Sequence, residues 1–321
     1  MINEKLVNSV LRCPVCKERM VLSHDQKSVV CENTKKHHLF DFSSSGYINL
    51  FPSRPAGGDS AECVAARHAF LEKDYYLKVS EAINELLLKY VDGGNIVDAG
   101  SGEGYYTINM AKNNKYFVYG FDLSKSGVTI AAKNAKKKNR ENVLFGVASI
   151  FSLPVSDGAA SAVTNIFAPC SEEEFARVLN DNGILILAGA GKEHLIDLKR
   201  AVYDSAYENE GRRDLPKEKF ELLERKTISF GMELESGADI MSLFSMTPYY
   251  YRTSEKDMKK LESLSSLYTK AEVELLVYCK TQKSRVKAEK TKIFFRRLQA
   301  ASATYLSKSD PDVSKPKISR G

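Results

Sequence analysis

Three of the six cysteines fall between positions 13 and 31, and two histidines follow at His37 and His38. Cys13-Pro14-Val15-Cys16 is a C-x2-C knuckle. Cys31 and a histidine at 37 or 38 would complete three thiolates and one imidazole, the tetrahedral donor set of structural zinc. Four protein ligands leave no open position for water, so such an ion holds a module together and does not activate a nucleophile. His24 lies between two strand-like runs and is set aside. A second constellation is Asp98-Ala99-Gly100-Ser101-Gly102-Glu103-Gly104, directly after the apolar pair Ile96-Val97. Gly100 and Gly102 let a ligand approach the backbone where a Cβ would block it. The G-x-G-x-G spacing differs from the dinucleotide fingerprint G-x-G-x-x-G, and the sequence has no phosphate-gripping loop. Asp122 ends the next apolar run, at about the offset where a carboxylate accepts both hydroxyls of a ribose. A nucleoside ligand without phosphates fits this pattern.

These residues need elements to position them. Residues 1–45 carry short alternating segments with no room for a core of their own, which suits a module held by metal. From 46 to 60 the sequence turns to Gly, Pro and Ser (Pro52, Pro55, Gly57 and Gly58), the composition of a connecting segment. Helices are expected over 61–76 and 77–90, the second from Val79, Ile83, Leu86, Leu87 and Tyr90 at helical spacing. Apolar runs at 96–98, 117–121, 143–148, 162–167, 184–187, 226–234 and 273–278 alternate with helical stretches, among them 237–246 and 254–265. That alternation predicts an α/β fold built on a seven-stranded, parallel sheet. A basic run of Lys133, Lys136, Lys137, Lys138 and Arg140 reads as a helix C-terminus, where cations suit the dipole.

Composition bounds the class. A hydrophobic fraction of 43%, a charged fraction of 27% and a mean hydropathy of −0.32 place the chain among soluble globular proteins. No apolar run approaches the roughly 18 residues of a membrane span. Met1-Ile2-Asn3-Glu4-Lys5 leads into no apolar leader, so a cytoplasmic location is expected. The formal net charge is +6, but residues 284–321 alone carry +7, leaving the rest of the chain near neutral. Attraction to nucleic acid would therefore come from the tail or from local patches.

The glycine turn with Asp122 resembles the S-adenosylmethionine site of class I methyltransferases. Val147-Ala148-Ser149, followed by Leu153-Pro154, resembles the adenine-flanking segment after their third strand and brings in Ser149. Further pieces occur in order: His38-Leu39-Phe40-Asp41, Gly46-Tyr47-Ile48-Asn49-Leu50, Gly58-Asp59-Ser60, Ala66-Arg67-His68-Ala69-Phe70-Leu71, Phe167-Ala168-Pro169-Cys170, His194-Leu195 and Met246-Thr247-Pro248. Together with the cysteine knuckle they resemble the bacterial 23S rRNA (guanine-N1)-methyltransferases over about residues 11–283. The resemblance implies a class I (Rossmann-like) sheet with a small N-terminal zinc-binding module. It implies four parts: a zinc-binding RNA-recognition module over 1–45, a linker and connecting helix over 46–74, an S-adenosylmethionine-dependent methyltransferase domain over 75–283, and a basic tail over 284–321. His38 becomes the fourth zinc ligand, with His37 the alternative. Tyr76, Gly102, Glu103 and His194 become cofactor contacts beside Asp98, Gly100, Gly104, Asp122 and Ser149. The implied activity is methylation of N1 of a guanine in a 23S rRNA hairpin, by a homodimer.

Asn165, Phe167 and Pro169 close the fourth strand, where N-directed methyltransferases line the target-base pocket. Phe167 suits either stacking on a flipped base or, more simply, core packing. Three other readings remain open. Ala168-Pro169-Cys170-Ser171 resembles the A-P-C-S segment of RNA cytosine-C5 methyltransferases, which would make Cys170 a nucleophile. Against it, Phe167 stands where those enzymes carry Asp, and Cys279 follows Tyr278, not the Thr their second cysteine follows. A small-molecule methyltransferase with a fused zinc knuckle would need no RNA affinity, and a non-catalytic RNA-binding relic would not bind the cofactor.

Overall fold

The computed structural model describes residues 4–8, 10–51 and 60–281. The Pro/Gly stretch 52–59 and the basic tail 284–321 lie outside them. The chain opens with a short helix α1 (Lys5–Asn8) and a three-stranded antiparallel sheet of β1 (Met20–Leu22), β2 (Ser28–Cys31) and β3 (Leu39–Asp41). This module has no core of its own, because its apolar side chains are shared with the body. Leu6, Val7, Val10, Leu11, Met20 and Val29 sit in one cluster with Val97, Tyr119, Leu144 and Val155. Backbone bonds stitch the contact: Arg12 N donates to Pro154 O at 2.9 Å, and Ser156 N to Val10 O at 2.8 Å. The Arg12 guanidinium meets Asp157 at 2.7 Å.

The large sheet takes β4 (Ile48–Asn49), β5 (Gly94–Ala99), β6 (Tyr116–Asp122), β7 (Val143–Val147), β8 (Ala160–Ile166), β9 (Leu179–Ala190), β10 (Phe220–Leu234) and β11 (Leu267–Lys280). Their order is β10-β11-β9-β8-β5-β6-β7-β4. The seven expected strands are present, with two corrections. β4 adds an eighth, parallel to β7 through Ile48 opposite Gly146; two residues are too short to show periodicity in a segment read as linker. β11 runs antiparallel to both β9 and β10, so the sheet is mixed; strand direction leaves no mark on an apolar run. Side chains alternate between faces, Ile96 entering one apolar cluster while Val97 and Ala99 enter the other.

Helices α2 (Ala61–Leu71), α3 (Leu77–Tyr90), α4 (Tyr105–Met110), α5 (Lys125–Lys137), α6 (Glu172–Val178), α7 (Ile196–Val202), α8 (Gly237–Ser245) and α9 (Glu255–Glu262) cover the sheet. α3 buries Val79, Ile83, Leu86 and Leu87, the stripe its spacing predicts. The helix expected over 61–76 stops at Leu71, and Asp74 turns the chain at φ +60°. The basic run lies at the end of α5, with Lys136 and Lys137 in its last turn. Between α7 and β10, residues 203–219 form a long irregular connection, a length that in compact domains is commonly functional. No helix among the described residues is long and apolar enough to cross a membrane.

Candidate active site and metal centre

The chain reverses its direction of sheet construction between β5 and β8, and the glycine turn sits there, at the carboxyl end of β5. Gly100, at φ +91°, faces the β8 end so closely that a Cβ would lie 2.5 Å from the Ala168 Cβ. Gly104, at φ +83°, caps α4 where a Cβ would meet Ala131 at 2.7 Å and Phe145 at 2.9 Å. Glycine is thus required for packing the turn as much as for admitting a ligand. Asp122 braces the turn from β6: Gly102 N donates to Oδ2 at 2.9 Å and Ser124 N to Oδ1 at 2.7 Å. Each oxygen keeps a further lone pair for a diol.

Above the turn opens a cavity of about 690 Å³. Of the expected site residues, Tyr76, Gly100, Gly102, Glu103, Asp122, Phe167, Pro169 and His194 line it. Four do not, each for a visible reason. Asp98 is 1% exposed beneath the turn, and its carboxylate accepts from Thr107 Oγ1 at 2.5 Å and Thr164 Oγ1 at 2.9 Å. Burial first, then the charges of Asp122 and Glu103, push its carboxyl up to about 6 against those two bonds. Gly104 is spent on the α4 cap, and Ser149 Oγ accepts from Phe151 N at 3.2 Å within its own turn, while Ile150 and Phe151 reach the cavity instead. Asn165 is fully buried, its Nδ2 donating to Ala99 O at 2.8 Å and Pro169 O at 2.9 Å. It braces the segment leading to Pro169 from behind.

Phe167 corrects the core-packing expectation: it is 43% exposed, at φ +50°, a strained backbone for a non-glycine residue. Its ring stands 5.6 Å from His194 and 6.1 Å from Tyr76, centroid to centroid. His194 Nδ1 accepts from Glu272 N at 3.2 Å, so the neutral ring carries its hydrogen on Nε2, 3.3 Å from the Tyr76 hydroxyl. Burial pulls His194 down to about 4 and pushes the Tyr76 phenol far up, so both groups are neutral near pH 7. Cys170 is not on the cavity wall, and burial pushes its thiol up, the opposite of an activated nucleophile.

Several lining residues come from outside the expected set. Tyr207 and Asn209 belong to the 203–219 connection, which carries no periodicity that could have singled them out. Asn209 Nδ2 donates to Gly191 O at 3.0 Å and His194 O at 3.1 Å, fixing the His194 turn. Behind them Lys199, 1% exposed, donates to Tyr207 O at 2.9 Å and Asn209 Oδ1 at 2.7 Å. Arg212 Nη2 donates to Ala168 O at 3.0 Å and lies 3.3 Å from Asn165 Oδ1. α2 contributes Arg67, whose Nε donates to Glu103 Oε2 at 2.7 Å. Arg67 stands in a motif that the resemblance already quoted, without a role.

The knuckle lies in a cluster that could hold a metal ion. The donor atoms of Cys13, Cys16, Cys31 and His38 all lie within 4.8 Å of one another. A tetrahedron with Zn–S near 2.3 Å has edges of roughly 3.8 Å. His38 Nδ1 lies 3.4 Å from Cys31 Sγ and 3.7 Å from Cys13 Sγ, so the set fits zinc with small adjustments. His37 turns away, its Nδ1 3.0 Å from Cys31 O.

Comparison with known proteins adds a second kind of observation. A zinc-ribbon family model described as RlmA, N-terminal, matches residues 11–55, and a methyltransferase-domain model matches residues 91–244. A 23S rRNA (guanine(748)-N(1))-methyltransferase of Streptomyces fradiae is 31% identical over 206 residues, 62% of this chain and 69% of that protein. A Bacillus subtilis (strain 168) protein, provisionally named a 23S rRNA (guanine-N(1)-)-methyltransferase, is 31% identical over 204 residues, 61% of this chain and 69% of its own length. The chain belongs to the 23S rRNA (guanine-N1)-methyltransferase family. As a member of that family it combines a zinc ribbon with a class I S-adenosylmethionine-dependent domain. A ribosomal protein L11 methyltransferase of Dictyoglomus thermophilum is 30% identical over 118 residues, 35% of this chain and 38% of that protein. That likeness covers much less of the chain than the rRNA (guanine-N1)-methyltransferases do.

Proposed function

We propose that this chain transfers a methyl group from S-adenosylmethionine to N1 of a guanine in a 23S rRNA hairpin. The observation that carries the reading is the union, in one chain, of the zinc ribbon and the methyltransferase domain with 31% identity to rRNA (guanine-N1)-methyltransferases across 69% of their length. Bound S-adenosylmethionine supplies a sulfonium methyl, an electrophile with a neutral leaving group. The protein's share is positioning. Asp122 accepts the ribose hydroxyls, the glycine turn admits the nucleoside, and Tyr76 and neutral His194 close the wall beneath. Phe167 and Pro169 hold an extruded guanine at the cavity mouth, with Asn165 and Arg212 locking their backbone. The cytosine-C5 alternative loses its support with Cys170 off the wall.

The same reading assigns RNA recognition to residues 1–45, cofactor and chemistry to 75–283, and a cytoplasmic site of action as a homodimer. The exposed apolar side chains Val15 and Leu39 on the zinc module support a contact surface there. In the deciding experiment, purified protein, S-adenosylmethionine and 23S rRNA hairpins are incubated and the nucleosides digested for mass spectrometry. Appearance of 1-methylguanosine is expected. Methyl transfer to cytosine, or to small molecules but no RNA, refutes the proposal.

A further inference from the structure

Tyr207 lines the cavity from the 203–219 connection and is 61% exposed, more so than Phe167. One face of its ring is occupied by a cation: Lys199 Nζ lies 4.4 Å from the ring centroid. The same ammonium donates to Tyr207 O at 2.9 Å and to Asn209 Oδ1 at 2.7 Å, and it stands 5.8 Å from the ring of Tyr249, another part of the cavity wall. Lys199 is thus a buried cation held by neutral groups, two oxygens and two π faces. Neutral partners offset less of the cost of taking an ammonium out of water than a carboxylate would. For stability alone an apolar side chain of similar size would serve as well. What the ammonium adds is direction, because it grips the Tyr207 backbone and one face of its ring at once. Asn209 extends the clamp, with N donating to Lys192 O at 2.9 Å and Nδ2 to His194 O at 3.1 Å. The His194 ring in turn stands 5.6 Å from Phe167. Exposure rises along this wall from the buried Tyr76 and His194 through Phe167 to Tyr207, which therefore forms its outer rim.

We infer that Tyr207 stacks on the unpaired base next to the target guanine, with Lys199 as the positioning residue that holds its ring. This deepens the proposed function and rests on it. Extruding a guanine leaves its neighbour with a bare face, and a fixed aromatic ring restores the lost stacking whatever that base is. A base still paired in a duplex offers no such face, so the contact favours loop nucleotides. The buried ammonium also places positive charge behind a surface that receives a phosphodiester chain, in a body whose own net charge is −1.

The test uses full-length protein, S-adenosylmethionine and the 23S rRNA hairpin whose guanine the wild type methylates, with the nucleotide on either side of that guanine made abasic in turn. Tyr207→Leu, a change at an exposed side chain, should raise KM for the intact hairpin roughly fivefold to a hundredfold, with a smaller effect on kcat and none on the calorimetric affinity for S-adenosylmethionine. Tyr207→Phe keeps the ring and should recover most of the loss. One of the two abasic hairpins should be poorer for the wild type by a similar factor, yet no poorer than the intact hairpin for Tyr207→Leu, because ring and base form one contact. Lys199→Met should raise KM where Tyr207 is present and add nothing to Tyr207→Leu; additive losses would deny Lys199 its positioning role. Should Lys199→Met fail to fold, the cycle between Tyr207 and the abasic hairpins still decides. An unchanged KM in Tyr207→Leu, or losses that add for the ring and for both bases, overturn the assignment. An equal loss of S-adenosylmethionine affinity also overturns it, by giving Tyr207 to the cofactor. A wild type that forms no 1-methylguanosine on any hairpin removes the proposed function itself, and the assignment with it.

Discussion

Asp98 and His194 are buried titratable groups whose shifts run in opposite directions with pH. Asp98, raised to about 6, gives stability that is present below the unfolded value near 4 and lost as pH rises through 6. His194, lowered to about 4, gives stability that is present above about 6.5 and lost as pH falls toward 4. Each is on the order of 3 kcal/mol across its window, so in the wild type the two largely cancel. Chemical denaturation at pH 4 and pH 7 is expected to unmask them. Asp98→Asn should lose stability toward pH 4, and His194→Asn should lose it toward pH 7. Variants that track the wild type at both pH values would contradict the buried, ionisation-coupled placement of these side chains. Asp98 shows why the motif alone misleads: an acid before a glycine turn reads as a ligand contact, and only Thr107 and Thr164 closing on it from α4 and β8 reveal a support.

At the scale of elements, the zinc ribbon is part of the sheet's covering layer. Its three cysteine donors are legible from spacing, with His37 and His38 both open at the fourth place until the family resemblance favours His38, but its docking is not, because Leu6, Leu11 and Val29 share a cluster with Val97, Tyr119, Leu144 and Val155, more than sixty residues further along the chain. Cys16→Ser is expected to abolish stoichiometric zinc and to lower the single unfolding transition of the whole chain, since the module and the body share one core. Two separate transitions in calorimetry would show the ribbon to be independent. Leu11→Ala, with metal ligands intact, should cost about 2–5 kcal/mol with zinc retained. The 203–219 connection makes a separate case. Asn209→Ala removes donors to Gly191 O and His194 O and one acceptor of Lys199. It should destabilise by about 1–3 kcal/mol and speed proteolytic cleavage within 203–219. Unaltered cleavage would mean that other contacts hold that segment.

On the scale of the whole molecule, charge is divided unevenly: residues 284–321 carry +7 of a net +6. The counterion account then predicts that a chain ending at 283 binds rRNA hairpins with a shallower salt dependence, each lost phosphate contact taking roughly 0.7–0.9 from the log–log slope. Filter binding from 50 to 200 mM salt measures it, and an identical slope would place all phosphate contacts before residue 284. The cavity, the ribbon and the end of α5 lie in a body whose own net charge is −1, so any electrostatic attraction of an anionic partner to that body has to come from local groups such as Lys136 and Arg140.

The sequence determined what depends on short-range spacing. The C-x2-C knuckle, the glycine turn, the α3 stripe and seven apolar runs are periodic or contiguous, and local geometry follows from them directly. The tertiary structure decided what depends on which distant residues meet. It turned Asp98 and Asn165 inward, exposed Phe167 at the cavity mouth, joined Ile48-Asn49 to β7 and brought Arg67 from α2 against Gly102. The orientation of a side chain at a strand end depends on whether a distant partner takes its hydrogen bonds, and no local pattern records that choice.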